Sequence, residues 1–368
     1  MPWPRVIYNE EVMREGFGIE DVAIPLAAKV EFLEALSETG LKRITVGAFV
    51  SPRYVPQMAD FEELLKRFRP RPGVTYLPFI HNARARQQAL AYSPPLTVER
   101  EVLTLFLDIC DVHQRRNVNR SIQQIMAAWP EAVAQARTAG VKEARIGVAS
   151  AWGSNFMGAF SQSYRMGFLE HQVALLEDAG IAVIEIGLHD SQSFCMPHLM
   201  EADLQEIHRR WPQVRQFHLH MHDARGMALP SIYAALRTLG EGDTLLLEGT
   251  LGGIGGGQFG GNGRASAMAP TEDLMHMLEG MGMDTGVDLD RLIDCVWKLE
   301  KIIGRPAFGH VSKAGPRPRR ATEYYDPNMP GIESLAAARH FREGPAAYAA
   351  EGYSPWVSPI TGPYHQPH

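Results

Sequence analysis

Short apolar runs alternate with amphipathic segments along most of this 368-residue chain. Most of the runs are continuous rather than alternating, which is typical of strands that are covered on both faces. The eight predicted strands are 5–12, 43–50, 74–80, 102–109, 144–151, 181–187, 214–221 and 244–249. Helices are predicted between them and after the last, at 26–39, 60–68, 121–138, 164–179, 200–210, 228–239 and 271–281. Eight strand–helix units of this kind predict an α/β fold, a (β/α)8 TIM barrel.

The main alternative fold is an open doubly wound sheet, which would carry a glycine fingerprint after its first strand. The segment 13–21 lacks that fingerprint. A barrel of typical size would end near residue 305. We therefore predict a catalytic barrel over 1–305 and an irregular C-terminal extension over 306–368, with one helix near 332–343, that serves as a lid or an oligomer arm.

The composition excludes several classes of protein. Hydrophobic residues make up 45% of the chain, which argues against disorder, and the net charge of −6 argues against a nucleic-acid-binding protein. No apolar stretch approaches the roughly 18 residues of a membrane span, and the N-terminus lacks the pattern of a signal peptide. The three cysteines, Cys110, Cys195 and Cys295, are far apart, which favours neither disulfides nor a cysteine zinc site and indicates a cytoplasmic setting.

In a barrel the active site lies at the C-terminal ends of the strands. His220 and His222 stand two residues apart at the end of the seventh predicted strand, so both side chains point to the same side. Such a pair is suited to binding a divalent metal. His218 has the same phase and lies deeper. The alternative interpretation is an ordinary polar strand end.

Polar residues also follow the first strand. Arg14 is suited to stabilising an enolate or binding a carboxylate, and Glu15 to supplying a metal with an oxygen ligand. A surface ion pair is the alternative for these two residues. Further candidates for an acid, a base or a substrate anchor follow other strands: His81, Asn82, Asp111, His113, His189 and Asp190.

A glycine-rich loop follows the eighth predicted strand. Nine glycines fall within residues 249–263, so the backbone of this loop can approach a substrate closely. Asn262 offers a carbonyl ligand within the loop. The Lys-Ser/Thr pair of a phosphate-binding P-loop is absent.

Four stretches together resemble hydroxymethylglutaryl-CoA lyase and the wider family of metal-dependent carbon–carbon lyases and Claisen-type synthases built on this barrel. They are AFVSPRYVPQM at 48–58, HMHD at 220–223, GIGG at 253–256 and the segment 271–280. The resemblance extends from about residue 5 to about residue 315. It implies a divalent metal and a homodimer. Oxygen and nitrogen ligands without sulfur favour Mg²⁺ or Mn²⁺, and a pair of histidines also suits Zn²⁺ or Co²⁺.

The resemblance also implies the residues of the site. Arg14 matches the arginine that stabilises the enolate, and Glu15 takes the place of the family's metal-binding aspartate. The family's asparagine ligand falls on Met268, a poor ligand for a hard cation. Because the loop here is two residues longer, we expect Asn262 to replace it. The expected metal ligands are therefore Glu15, His220, His222 and Asn262.

Several departures from the family pattern indicate a different substrate. The family's catalytic loop cysteine falls on Gly257, a substrate-contacting glutamate falls on Thr45, and a tyrosine on the fifth strand falls near Gly147. The smaller residues leave room for a bulkier substrate unless another aromatic, Trp152 or Phe156, fills the space.

These observations predict a retro-aldol or retro-Claisen lyase acting on a 3-hydroxy-3-carboxylic acid or its CoA thioester. We expect Arg14 to stabilise the enolate and Asp190, or a metal-associated water, to act as the base. A loop residue or His113 would protonate the enolate carbon in place of the cysteine. Gly257 and Lys313 are expected to contact the substrate, with Lys313 near the CoA phosphates. A Claisen-type synthase joining an acyl-CoA to a 2-oxo acid and a catalytically degenerate barrel are the alternatives.

Overall fold

The computed structural model describes residues 3–257 and 267–325. Eight parallel strands form one sheet: β1 (Arg5–Glu10), β2 (Arg43–Ala48), β3 (Thr75–Phe79), β4 (Leu103–Asp108), β5 (Glu143–Ala149), β6 (Ala182–Asp190), β7 (Gln216–Met221) and β8 (Thr244–Gly249). Their order in the sheet is β3-β2-β1-β8-β7-β6-β5-β4. Pairing of the first strand with the last curls the sheet on itself, as in a barrel and unlike an open doubly wound sheet. Among the described residues no ladder joins β3 to β4. The TIM-barrel prediction is confirmed, and each predicted strand corresponds to one strand of the sheet, with ends that differ by up to three residues.

Eleven α-helices lie within the described ranges: α1 (Leu26–Ser37), α2 (Phe61–Arg67), α3 (Ala83–Leu90), α4 (Asp111–Val118), α5 (Ile122–Thr138), α6 (Gln162–Asp178), α7 (Pro197–Arg210), α8 (Ala228–Thr238), α9 (Thr271–Gly280), α10 (Leu289–Ile303) and α11 (Val311–Ala314). The seven predicted helices are confirmed. Helices α3, α4, α10 and α11 were not predicted, and α4 (DVHQRRNV) has too few apolar residues to show a helical period. None of the described helices is long and apolar enough to cross a membrane.

The interior of the barrel is polar. Side chains that face outward from the strands, such as Ile44 and Val148, are buried in the hydrophobic core. The inward-facing side chains line a cavity of about 540 Å³, and they include Asn9, Thr45, Arg145, Glu185, His218 and Glu248. Barrels of this class usually fill this space with branched apolar residues. Here charged and polar side chains line the space instead.

The segment after α10 returns to the barrel. Gly304 ends this helix in the left-handed conformation with φ = 69°. The backbone N–H groups of His310 and Val311 then donate to the carboxylate of Asp273, at 2.7–2.9 Å. The predicted helix near 332–343 lies outside the described residues, so the division at residue 305 stays a prediction. The three cysteines are free, buried thiols.

Candidate metal centre and active site

Three predicted metal ligands meet at the C-terminal end of the barrel. Glu15, His220 and His222 each place one ligand atom within 4.8 Å of the other two, and all three side chains are buried. The Nε2 atoms of the two histidines are 3.2 Å apart. The three residues converge because β7 and the strand preceding Glu15, β1, both pair with β8.

A single π-helical turn after β1, Val12–Gly16, positions Glu15, the predicted carboxylate ligand. The carbonyl oxygen of Glu11 accepts the backbone N–H groups of Arg14, Glu15 and Gly16, at 2.7–3.3 Å. Such wide turns are frequent at functional sites. The turn allows two consecutive charged side chains, Arg14 and Glu15, to meet over the end of the barrel.

A buried carboxylate fixes this turn to the opposite loop. Glu10 Oε1 accepts the backbone N–H groups of Val12 and Leu251, and Oε2 accepts the Thr271 hydroxyl at 2.6 Å. Burial raises the pKa of Glu10 to about 7. Glu10 therefore links β1, the loop after β8 and the start of α9.

Arg14 is held from three sides. Its Nε donates to Glu11 at 2.8 Å, its Nη1 forms a hydrogen-bonded ion pair with Glu15, and its guanidinium lies 4.4 Å from the centre of the Phe79 ring. Thr45 donates its hydroxyl to the other oxygen of Glu11, at 2.5 Å. Burial raises the pKa of Glu11 to about 7, although Arg14 opposes the shift. The role of Glu11 was not predicted, although Glu11 directly follows β1 and faces the same cavity as Ile7 and Asn9.

Glu248 orients the first histidine. His220 Nδ1 lies 2.6 Å from Glu248 Oε2, which leaves Nε2 to face His222. A carboxylate on the second nitrogen is the usual support for a metal-binding histidine. Burial favours the neutral acid, but His218 and His220 outweigh it and hold the pKa of Glu248 well below its usual value. Glu248 was also missed, although it pairs in register with His220 on the neighbouring strand.

The protonation states suit a divalent cation. Burial, reinforced by His220, lowers the pKa of His222 to about 3. Burial would raise the pKa of Glu15, but Arg14, His220 and His222 together lower it. At neutral pH the cluster therefore offers a neutral imidazole and a carboxylate, which are the forms that bind metals. The donor set fits a divalent metal of the first transition row or Mg²⁺.

The glycine-rich loop packs directly on Glu15, the predicted carboxylate ligand. A Cβ at Gly255, where φ is 109°, would lie 2.9 Å from the Glu15 carbonyl oxygen. A Cβ at Gly257 would lie 3.6 Å from Glu15 Oε1, so a side chain at this position would reach the metal centre. Met268 is buried and pairs through its backbone with His222. Asn262 lies outside the described residues, so its ligand role stays a prediction.

Asp190, the predicted base, holds the backbone of the segment that follows β6. The two carboxylate oxygens of Asp190 accept the backbone N–H groups of Phe194 and Cys195, each at 2.8 Å. Burial raises the pKa of Asp190 to about 6. The side chain of His189, the preceding residue on β6, points to the opposite face of the strand. The ring centre of His189 lies 5.3 Å from that of His220.

Other candidates are engaged in local contacts. Lys313 forms an ion pair with Glu300. Asn82 caps α3 by accepting the Ala85 N–H at 2.8 Å, and Asp111 pairs with Arg115 at 2.7 Å. His81 is exposed and stacks on Phe79.

The space beside Gly147 is filled from a neighbouring strand. A Cβ at Gly147 would lie 2.8 Å from the ring of Phe106, on β4. An aromatic side chain does fill this space, but it is Phe106 rather than Trp152 or Phe156. Trp152 is buried against Asp203 through its indole N–H, and Phe156 lies beside Arg116.

Comparison with known proteins identifies the family of the chain. The family model described as HMGL-like matches residues 5–296. The chain is 30% identical to the mitochondrial hydroxymethylglutaryl-CoA lyase of Gallus gallus over 85% of this chain and 98% of the relative. It is 29% identical to the hydroxymethylglutaryl-CoA lyase YngG of Bacillus subtilis over 83% of this chain and 96% of the relative.

Solved structures show the same relationship. An HMG-CoA lyase from A. baumannii, in complex with coenzyme A and 3-methylmalate, superposes with a TM-score of 0.67 at 28% identity, over 85% of this chain and 95% of that one. The HMG-CoA lyase of Bacillus subtilis also gives 0.67, at 27% identity over 85% and 98% of the two chains. The chain therefore belongs to the HMGL-like family, as an enzyme of the carbon–carbon lyase type.

Proposed function

We propose that this chain cleaves a carbon–carbon bond in a 3-hydroxy-3-carboxylic acid or its CoA thioester, by a retro-aldol or retro-Claisen reaction. The observation that carries the proposal is the convergence of Glu15, His220 and His222 beside Arg14. The names of the relatives support the reaction, and the A. baumannii lyase, solved with coenzyme A and 3-methylmalate, supports the substrate class.

A divalent cation held by Glu15, His220 and His222 would make the substrate hydroxyl easier to deprotonate and would polarise a neighbouring oxygen. Arg14 stabilises the enolate that forms when the bond breaks. Its Nε and Nη1 are occupied by Glu11 and Glu15, whereas its Nη2 donates to no described residue. The geometry therefore leaves Nη2 for the enolate oxygen.

Asp190 is the proposed base for the hydroxyl proton. Its pKa of about 6 suits proton transfer near neutral pH. To reach the hydroxyl, its carboxylate would have to release the backbone N–H groups of Phe194 and Cys195 and turn towards the metal ligands.

We propose that the substrate is related to, but distinct from, 3-hydroxy-3-methylglutaryl-CoA. Three differences around the site support this: Thr45 donates to the carboxylate of Glu11, Phe106 covers Gly147, and Gly257 carries no side chain towards Glu15. Each difference alters the shape or the polarity of the space that a substrate would occupy.

The test is a cleavage assay with the Mn²⁺-loaded enzyme. The substrates are 3-hydroxy-3-methylglutaryl-CoA, its analogues with longer 3-alkyl groups, 3-methylmalyl-CoA and the corresponding free acids. We expect cleavage of one or more, with a kcat/KM at least about tenfold above that for 3-hydroxy-3-methylglutaryl-CoA. If 3-hydroxy-3-methylglutaryl-CoA proved to be the best substrate, the proposal of a distinct specificity would be refuted. If the enzyme catalysed condensation but no cleavage, the synthase alternative would be favoured.

We also propose that Lys313 contacts the CoA phosphates, which would require it to leave Glu300. Lys313→Ala should raise the KM of a CoA thioester severalfold without changing that of the free acid. Lys301→Ala, on α10, is the matched control. Equal effects on thioester and free acid would refute this role.

The homodimer and the cytoplasmic location stay proposals as well. The relatives include mitochondrial and cytoplasmic lyases. Light scattering of the purified chain tests the dimer.

A further inference from the structure

The proposed reaction needs an acid that protonates the enolate carbon, and Gly257 offers no side chain for it. A buried cluster lies at the ends of the two neighbouring strands β4 and β5. It consists of Asp108, the last residue of β4, His113 in the first turn of α4, and Ser150 directly after β5. All three residues are at least 95% buried.

The contacts within this cluster fix one nitrogen of the imidazole. His113 Nδ1 is hydrogen-bonded to Asp108 Oδ2, and Ser150 donates its hydroxyl to the same oxygen at 2.9 Å. The other oxygen of Asp108 accepts the Cys110 N–H at 2.8 Å. A carboxylate supplied with donors in this way holds the proton on Nδ1 and fixes the orientation of the ring. Nε2 is left to face Asn117, an exposed residue, at 3.5 Å.

Serine hydrolysis is not the function of this cluster. Both the serine hydroxyl and the carboxylate lie at Nδ1, whereas a nucleophilic serine would bond to the nitrogen opposite the carboxylate. Ser150 is also completely buried and has a φ of 50°. Its position is therefore explained by its bond to Asp108.

A continuous set of backbone contacts connects this cluster with the metal ligands. The N–H of Ala151, next to Ser150, donates to the carbonyl of His189 at 3.0 Å. The carbonyl of the following residue, Asp190, accepts the N–H of His222 at 3.2 Å. The charge of His113 also contributes to the low pKa of His222, although burial and His220 contribute more. His113 and the metal centre therefore belong to the same end of the barrel.

We infer that His113 is the catalytic acid that protonates the α-carbon of the enolate, with Asp108 and Ser150 as its positioning residues; this inference rests on the proposed function. The base removes the hydroxyl proton, and the electron pair of the broken carbon–carbon bond passes into the enolate. The Nε2–H bond of protonated His113 then breaks as the enolate pair forms the new C–H bond. The neutral imidazole regains a proton from solvent, and the base returns its proton to solvent, so one proton moves overall from oxygen to carbon.

The experiment measures two activities of Mn²⁺-loaded enzyme. One is cleavage of the best substrate from the assay above, and the other is the exchange of the α-protons of acetyl-CoA in D₂O, followed by mass spectrometry. His113→Gln should slow both by about 10²–10⁴-fold, with the Mn²⁺ content and the melting temperature unchanged. Asp108→Asn should also slow both, through kcat rather than KM. The control is Glu131→Gln, which removes an exposed carboxylate from the neighbouring helix α5 and should leave both rates near those of wild type.

The outcomes separate the inference from the proposed function. Wild-type rates of cleavage and exchange in His113→Gln would overturn the inference and leave the function standing. Absence of both activities in the wild type would overturn both. If His113→Gln does not fold, the inference is tested with Ser150→Ala, because this variant removes only the hydroxyl that donates to Asp108. We expect a fall of about tenfold in exchange with an unchanged KM, and an unchanged exchange rate would overturn the inference.

Discussion

At the scale of single residues, the site depends on how Arg14 is held. Two carboxylates take its Nε and Nη1, and the ring of Phe79 supports its face. A planar guanidinium can satisfy these partners and still present a third nitrogen to a substrate. A lysine ammonium is a single point of charge and cannot replace this geometry.

Arg14→Lys should therefore lower kcat by at least about 100-fold, because the oxyanion interaction exists only in the transition state. KM should change little. Steady-state kinetics of the variant, beside Arg67→Lys on the exposed surface of α2, measures the effect. Near-normal turnover of Arg14→Lys would show that the enolate is stabilised elsewhere.

At the scale of elements, the loop after β8 and the turn after β1 form one unit. Glu10 bonds to both, and the backbone of Gly255 lies against the backbone of Glu15. This close approach explains why residue 255 is a glycine, since any side chain there would collide with the backbone of Glu15. It also predicts that the loop controls the position of the metal-binding carboxylate.

Gly255→Ala should weaken Mn²⁺ binding by about tenfold, because the new methyl group would displace the Glu15 backbone. Isothermal titration calorimetry measures the affinity. The matched control is Gly282→Ala: Gly282 has a φ of 83°, but nothing lies within 4 Å of the added Cβ. The control shares the backbone strain and should bind Mn²⁺ normally. Equal affinities in the two variants would disprove the coupling of loop and turn.

The sequence predicted the elements of the barrel well because buried parallel strands leave a clear local signal. The two histidines were predicted from the alternation of side chains along β7. Glu248 required the strand register, which places it beside His220. The filling of the space at Gly147 by Phe106 could not be predicted, because it depends on contacts between different strands. Polar α4 gave no periodic signal, so the closeness of Asp108 and His113 was also missed.

At the scale of the whole molecule, the barrel buries several carboxyl groups. Burial raises the pKa of Glu272 to about 8, from an ordinary value of 4.5. One of its oxygens accepts the Gly252 N–H at 2.9 Å, and the other has no partner among the described residues. Between these two pH values the folded state keeps a proton that the unfolded state releases. Glu272 therefore makes the free energy of unfolding fall as pH rises through this window.

Glu272→Gln should flatten this dependence, because the amide does not titrate. We expect the wild type to lose stability relative to the variant between pH 5.5 and pH 8, with a slope of at most about 1.4 kcal/mol per pH unit. Urea unfolding at several pH values measures the difference, and Glu241→Gln, at an exposed site, is the control. A constant difference between wild type and Glu272→Gln would contradict the raised pKa.

The central claim is that Glu15, His220 and His222 bind a catalytic metal. The most direct test is the metal content of the wild type and of the variant His220→Ala/His222→Ala after dialysis against defined Mn²⁺. The account predicts about one Mn²⁺ per chain in the wild type and none in the variant. A wild type that holds no metal, even at high Mn²⁺ and with candidate substrates present, would contradict it and favour a catalytically degenerate barrel.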